Sequence, residues 1–542
     1  MQTSDLPISI ASWSLALVPI LVLLVLLAVR RWKAPQAGPV GMFVAAAVAL
    51  FALRTPWDTL AVAGAKGVWD AIFILYVVWP ALLLYLVTDR AGGYDALRQG
   101  VTRFSRNELF IVVALGWVFS SFLQGIAGFG TPIAIVAPLL VAYGVRPVYA
   151  VVIPLIAHIW AKMFGTLAAG WLATLQVVDL ADPTSAAFQS ALLLIIPTVL
   201  GGFTIVWMYG RWPAIRHAWP LVLIISAIQG GGQLVLTLVD PVLSAFLAAT
   251  AALIALYPLS RWKRYGEPAT GIADRPAMRG EGPAESEDRE APMGLGMSFL
   301  PYVVLTTVAL SALTIGPIAE ALGAFSVGMS FPAVETGYGV QREATAPYSP
   351  FAPFTHPGTF LLVTSLVTWL VYRARGYYRA WATAGDEPSL WSGLLDEAVP
   401  ASVPIIAFLV MASLMDHSGQ NEVLALGIAA VTPAYGFAFL SSTIGVIGAF
   451  MTSSSTSSNV VFSGLQLTVA ELNDLPESTI IGAQSAGGAI GNAIAPANLV
   501  LGASTAGISG QEGSILRKAM PWTIVTTVLT GIATVLIVMF TR

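Results

Sequence analysis

The sequence contains no cysteine, which removes disulfides, thiolate metal centres and cysteine nucleophiles from consideration. Charge is scarce: Asp, Glu, Lys and Arg make up 10% of the 542 residues, where a soluble domain carries about 25%. With 26 basic against 29 acidic residues, there is no cationic surplus to hold a nucleic acid. The four histidines are scattered, with no pair at metal-ligand spacing. No metal and no cofactor is therefore expected. What is present is apolar, 56% of the chain, with a mean hydropathy of +0.78. The apolar residues come in long runs, not in short alternating segments, so the expected fold is an all-α polytopic membrane protein and not a barrel.

Runs that reach, or nearly reach, the roughly 20 residues of a span recur about 14 to 16 times. The run Ile8–Val29 ends in Arg30-Arg31-Trp32-Lys33 instead of a small-residue cleavage site, so a membrane helix is expected there and not a signal peptide. Clusters of Arg and Lys at 30–33, 90–106, 211–216, 261–264, 373–379 and 517–518 all fall on one side of this segmentation. Segments 172–188 and 416–421, on the other side, contain neither residue. The basic side is the cytoplasmic one, which assigns both ends of the chain to the outer face. An N-terminal half, 1–260, and a C-terminal half, 297–542, flank a polar cytoplasmic linker at 261–296. The first seven segments begin outside and the last seven inside, the pattern of an inverted-topology repeat. Two spans are expected at 423–442 and 444–463. Segments 55–71 and 324–350 mix polar and apolar residues and are expected to be outer loops or interfacial helices.

Two polar stretches interrupt this apolar background. Ser121–Pro132 carries Gly125, Gly128 and Gly130, which permit unusual backbone angles, and Pro132, which suits the first turn of a new helix. Thr452–Asn459 holds seven hydroxyls in eight residues. Backbone that leaves the helix at membrane depth survives only where protein buries it or a cavity adjoins it. Broken helices, one in each half, mark a transporter's central site. A helix restarting there aims free N–H groups and a positive dipole end inward, which favours an anion. Tight packing of glycines and a hydroxyl-lined helix interface are the plainer alternatives. A hairpin is expected near 121–132 and another near 450–460. A third glycine-broken, amide-bearing segment follows at Gln484–Asn498.

Ionisable residues inside spans are functional candidates. His158 and Lys162, four residues apart, offer positive charge on one helix face; a snorkelling or internally paired lysine is the alternative. Asp416 and His417 lie at a span's end, where a solvated loop pair is the plainer reading. An intramembrane enzyme would need a Ser–His, Asp–Asp or His-metal constellation, and the histidines have no orienting partner at suitable spacing. A channel or a sensor would lack saturable exchange between identical substrates.

On Phe122–Pro132, Thr452–Asn459 and Gln484–Pro496, with weaker echoes at Phe164-Gly165 and Trp219-Pro220, the chain resembles the L-lactate permease family over nearly its whole length. The resemblance implies a secondary active symporter of lactate, glycolate and related 2-hydroxymonocarboxylates in the cytoplasmic membrane, generally proton-coupled. It also implies paired hairpins akin to those of the ion-transporter superfamily. The family pattern commonly has a glutamate at the position of Gln124, an aspartate at Ser455 and often a lysine at Asn492. Conversely, His158 and Lys162 stand where the family tends to be uncharged. The expected substrate site is therefore Gln124, Gly128, Phe129, Gly130, Thr131, Lys162, Ser455, Thr456, Ser457, Ser458, Asn459 and Asn492, with His158 as the coupling group. Glutamine and serine cannot bind and release a proton near neutral pH, whereas an unperturbed histidine can. The expected partners are a small organic anion, H+ or Na+, and membrane lipid, with a homodimer left open. A Na+-coupled or uncoupled carrier of a sulfonate or dicarboxylate is the alternative.

Overall fold

Prolines and short polar side chains decide where the helices of this chain start. Pro132, Pro147, Pro183, Pro241, Pro357 and Pro496 each sit in the first turn of a helix, where a missing N–H leaves no bond unmade. Asn107, Asp182, Asp240 and Ser454 cap helix starts through side-chain oxygens. The computed structural model describes residues 6–7, 9–30, 32–96, 105–126, 128, 130–269, 271–279, 293–379, 381 and 389–541. Phe129, Arg31, Arg98, Arg103 and the acidic run 281–290 of the linker lie outside the described residues.

Among the described residues, nine helices are long and apolar enough to cross a membrane. Pro147–Ala161 and Gly165–Leu175, bent by 58°, make up a tenth if taken as one span. The long stretch Pro183–Thr237 covers two of the expected segments, since Gly210 and Arg211 leave the helix with φ of −153° and 54°. Other expected segments are helices that are shorter or more polar, such as Thr131–Ala142, Gln420–Val431, Ser455–Leu472 and Pro496–Thr505. The chain is an all-α multi-pass membrane protein.

Two stretches differ from expectation. Residues 57–71 are neither an outer loop nor a separate interfacial helix but the start of the 34-residue helix Trp57–Arg90. Lys66 and Asp70 dilute the apolar signal there, yet Ala63, Gly67 and Asp70 are buried at helical spacing. Gly67 permits the approach of the facing helix Leu390–His417: a Cβ on it would lie 2.5 Å from the Val410 Cα. The spans expected at 423–442 and 444–463 are instead Gln420–Val431, Ala434–Thr452 and Ser455–Leu472. The helix runs through the expected boundary because the punctuation is at Pro433, which cannot continue a helix from Thr432, and at Ser453, which turns left-handed with φ of 57°.

The same succession occurs twice. In the first, Glu108–Ile126 and Thr131–Ala142 form a helical hairpin, with Gly128 and Gly130 at its tip, followed by the bent pair of helices. Both ends of that hairpin reach one strip of chain: Glu108 pairs with Arg275 at 2.9 Å, and the Arg146 N–H donates to Ala277 O at 2.8 Å. In the second, Ala434–Thr452 and Ser455–Leu472 pack as a hairpin around Ser453, followed by Glu477–Gly491 and Pro496–Thr505. Residues 324–351 form a cover with two antiparallel strand pairs, Val327–Phe331 with Thr345–Phe351 and Val334–Glu335 with Gln341–Arg342. It lies at the bundle end where Gln176 and Asp416 also sit, away from Arg275 and Arg146.

Candidate functional site

Each hairpin tip is tied to the break in the helix that follows it. The Gly128 N–H donates to Thr166 Oγ1 at 2.8 Å, and the Ala497 N–H donates to Ser453 Oγ at 3.2 Å. Glycine is required at Gly128, because a Cβ would lie 2.4 Å from Thr166 Oγ1. Thr166, Leu167 and Ala168 are all left-handed, with φ of 53°, 49° and 60°. Left-handed backbone disfavours each non-glycine residue by roughly 1–2 kcal/mol, more in sum than the roughly 0.5–1.5 kcal/mol of one hydrogen bond. The turn is therefore held by the packing around it, and such strain gathers at functional sites.

Between the two tips and the two breaks lies a cavity of about 270 Å³. Gln124, Gly128 and Gly130 line it from the first tip, Lys162, Gly165 and Thr166 from the first break. Ser453, Ser454, Ser455 and Thr456 come from the second tip, and Asn492, Ala497 and Asn498 from the second break. Glu397, exposed, stands at its edge on the helix Leu390–His417. Besides Gly165–Leu175, whose first turn is left-handed, three described helices start at this cavity: Thr131–Ala142 after Gly130, Ser455–Leu472 after Ser454, and Pro496–Thr505 after Ala495. The first N–H groups of a helix have no partner within it, and its N-terminal end carries partial positive charge. Lys162 is buried in the wall, and its Nζ has no hydrogen bond or ion pair with any described residue. The Gln124 Oε1 is likewise buried and without a partner among the described residues. A lone cation, converging helix starts and an unused acceptor suit a small anion that also carries a donor.

Several expected site residues take other positions. Asn459 sits behind the wall and links the halves: its Nδ2 donates to Thr174 Oγ1 at 3.0 Å and to Met163 Sδ at 3.2 Å, and its Oδ1 accepts from Gln484 Nε2 at 3.2 Å. The Ser458 hydroxyl donates to Gly445 O at 2.8 Å within the second hairpin. The Ser457 N–H donates to the Oγ of the cap residue Ser454 at 3.2 Å, and Thr131 begins its helix just off the cavity. His158 is fully buried, off the cavity, with its Nδ1 3.4 Å from Ser120 Oγ and its Nε2 without a partner among the described residues. The lining contributed by Thr166, Asn498, Ala497 and Glu397 was not singled out from the sequence. Asn498 lies in a segment whose amides had drawn notice, whereas the left-handed turn at Thr166 has no compositional sign.

Helices broken in mid-bundle around a central polar cavity define a membrane transport protein. The match to the family model for L-lactate permease runs over residues 12–541, and the chain belongs to that family. It is 26% identical to the glycolate permease GlcA of Escherichia coli strain K12, over 96% of this chain and 94% of that one. It is also 26% identical to an L-lactate permease of Salmonella typhi, over 96% and 95%, and 25% identical to one of Bacillus subtilis strain 168, over 93% and 91%. These relatives are permeases, and the chain is a transporter, not an enzyme. A crystal structure of the Alcanivorax borkumensis YdaH transporter, described as having an unusual topology, is similar over 86% of each chain at 13% identity, with a TM-score of 0.43.

Proposed function

We propose that this chain imports small 2-hydroxymonocarboxylates of the lactate and glycolate type across the cytoplasmic membrane, by alternating access and in symport with protons. The observation that carries this reading is Lys162, a buried cation with no partner among the described residues, set in a cavity where helix N-termini converge. An uncompensated ammonium at membrane depth is unfavourable unless an anion joins it. The substrate carboxylate pairs with Lys162 and the first N–H groups of Ser455–Leu472. The 2-hydroxyl donates to the unpartnered Gln124 Oε1, with Asn492 at the opposite wall. Thr131, Ser457, Ser458 and Asn459 hold the tips and walls in register. The two hairpin-and-break units, taken as inverted repeats, move together to expose the cavity to either side.

The names of the relatives support the substrate class, and the cavity's single cation fits one carboxylate better than two. Proteoliposomes preloaded with unlabelled L-lactate test the reading by counterflow of radiolabelled L-lactate, competed with glycolate, propionate and succinate. Saturable exchange is expected, inhibited by glycolate and much less by propionate, which lacks the hydroxyl. Exchange of succinate or a sulfonate in preference to lactate would replace the substrate class.

A further inference from the structure

A second polar interior lies between the cover formed by 324–351 and the bundle, apart from the central cavity. Lys66 and Asp70, one turn apart on Trp57–Arg90, are 5% and 2% exposed. The Tyr348 hydroxyl, from the cover, donates to Asp70 Oδ2 at 2.9 Å. The Asp70 Oδ1 is buried with no partner among the described residues, beside a cavity of about 60 Å³. Lys66 Nζ lies 3.3 Å from His417 Nε2 and 4.9 Å from the centre of the Tyr348 ring. His417 Nδ1 is 2.9 Å from Ser413 O. Arg342, also from the cover, pairs with Asp416 at 3.0 Å and Glu422 at 2.9 Å.

We propose that Asp70 is a proton-binding site for uptake, separate from the substrate cavity; this rests on the transport reading above. Its Oδ1 takes a proton from outer water through the small cavity, forming a carboxylic acid. The same O–H bond breaks, returning the proton to the opposite side, once the helices beneath it shift; nothing is oxidised or reduced. Those helices are shared by the two sites. Gly165–Leu175 begins at the substrate cavity with Gly165 and Thr166, and Gln176 just past its other end lines the small one. Ser455–Leu472 begins at the substrate cavity with Ser455, and its Val460 and Gly464 line the small one. Occupation of one site is thereby felt at the other through two rigid elements.

A single carboxylate suits a proton, for two reasons. Among the described residues no group of three acidic or histidine side chains is placed to hold a metal ion. Moreover, each neighbour has its own partner: Lys66 faces His417, and Arg342 faces Asp416 and Glu422. Charged and titratable groups reach this region from every side but two. Lys66 comes from Asp70's own helix, Tyr348 and Arg342 from the cover, Asp416 and His417 from Leu390–His417, and Glu422 from Gln420–Val431. Gln176 and Val177, just past Gly165–Leu175, and Val460, Val461 and Gly464 of Ser455–Leu472 bring only uncharged side chains or backbone to the cavity wall.

The test compares two readouts in proteoliposomes: L-lactate counterflow at equal pH on both sides, and uptake driven by an imposed inward proton gradient. For Asp70→Asn, counterflow within about threefold of wild type is expected, with gradient stimulation reduced at least about tenfold. Gradient-driven accumulation at the wild-type level in this variant overturns the proposal. So does wild-type protein that exchanges lactate but ignores a proton gradient. Wild-type protein that exchanges no lactate instead refutes the transport reading itself. If Asp70→Asn loses both activities, Asp70→Glu and Tyr348→Phe decide. Both should keep counterflow and shift the pH midpoint of gradient-driven uptake by about half a unit or more; unchanged midpoints in both overturn the proposal.

Discussion

The central cavity and the cluster under the outer cover are both polar interiors of one bundle, yet they are built from opposite materials. The central wall is made of amides, hydroxyls, glycine backbone and helix starts, with Lys162 as its buried charge and Glu397 only at the edge. The outer cluster gathers Lys66, Asp70, Asp416, His417, Arg342 and Glu422. Neutral dipoles can hold an anion and still release it, because few charges must be desolvated again when it leaves. A dense set of charges holds protons and contacts in register but leaves little for a small anion to neutralise. The difference underlies the proposal of substrate at the centre and protons at the periphery. On that proposal, coupling needs no acidic residue at the positions of Gln124 and Ser455.

The sharpest way to break this comparison is to remove one lysine from each region. Lys162→Met should raise the KM for L-lactate counterflow about 100-fold, since truncating one partner of a buried charge pair costs about 2–5 kcal/mol. Lys66→Met should leave that KM within about threefold, because Lys66 lies outside the cavity wall. Equal KM values for both variants would dissolve the distinction. A smaller effect belongs to Gln124→Leu, which should narrow the preference for lactate over propionate about tenfold, the worth of about one hydrogen bond to the hydroxyl. Competition curves against radiolabelled lactate measure this, and an unchanged preference would move the hydroxyl to another wall. Smallest is Thr166→Val, which leaves the Gly128 N–H without its acceptor. A KM rise of about fivefold is expected from a loss of about 1 kcal/mol, read by the same assay. No change would mean that the packing alone positions the tip.

Much of the centre was legible in the sequence and little of the periphery. Gly128, Gly130 and the serine run stand out because a helix broken inside a membrane needs glycine at tight approaches and hydroxyls to satisfy freed backbone groups. Lys162 stood out as a cation in an apolar run. The outer cluster had no such sign, because its members meet only through tertiary packing. Tyr348 and Asp70 are 278 residues apart, and Lys66 and His417 are 351 apart. The charges at Lys66 and Asp70 even disguised their own span, making 55–71 look like an outer loop or interfacial helix. Asn459 and His158 show the converse. Their residue types suggest a substrate ligand and a coupling group, but the fold places the first in a network between the halves and the second off the cavity. A sequence gives the type and order of polar groups, whereas which way each faces depends on helix rotation that only packing settles.

The absence of cysteine offers the most direct test of the central claim. Ser455→Cys and, in a separate protein, Asn459→Cys would each be the single thiol in the chain. Alkylation by a small maleimide in membranes is followed with and without L-lactate. Saturable protection by lactate is expected at position 455, on the cavity wall, and none at position 459 behind it. Lactate exchange that persists in Ser455→Cys while its alkylation ignores lactate would contradict a substrate site between the two hairpin tips.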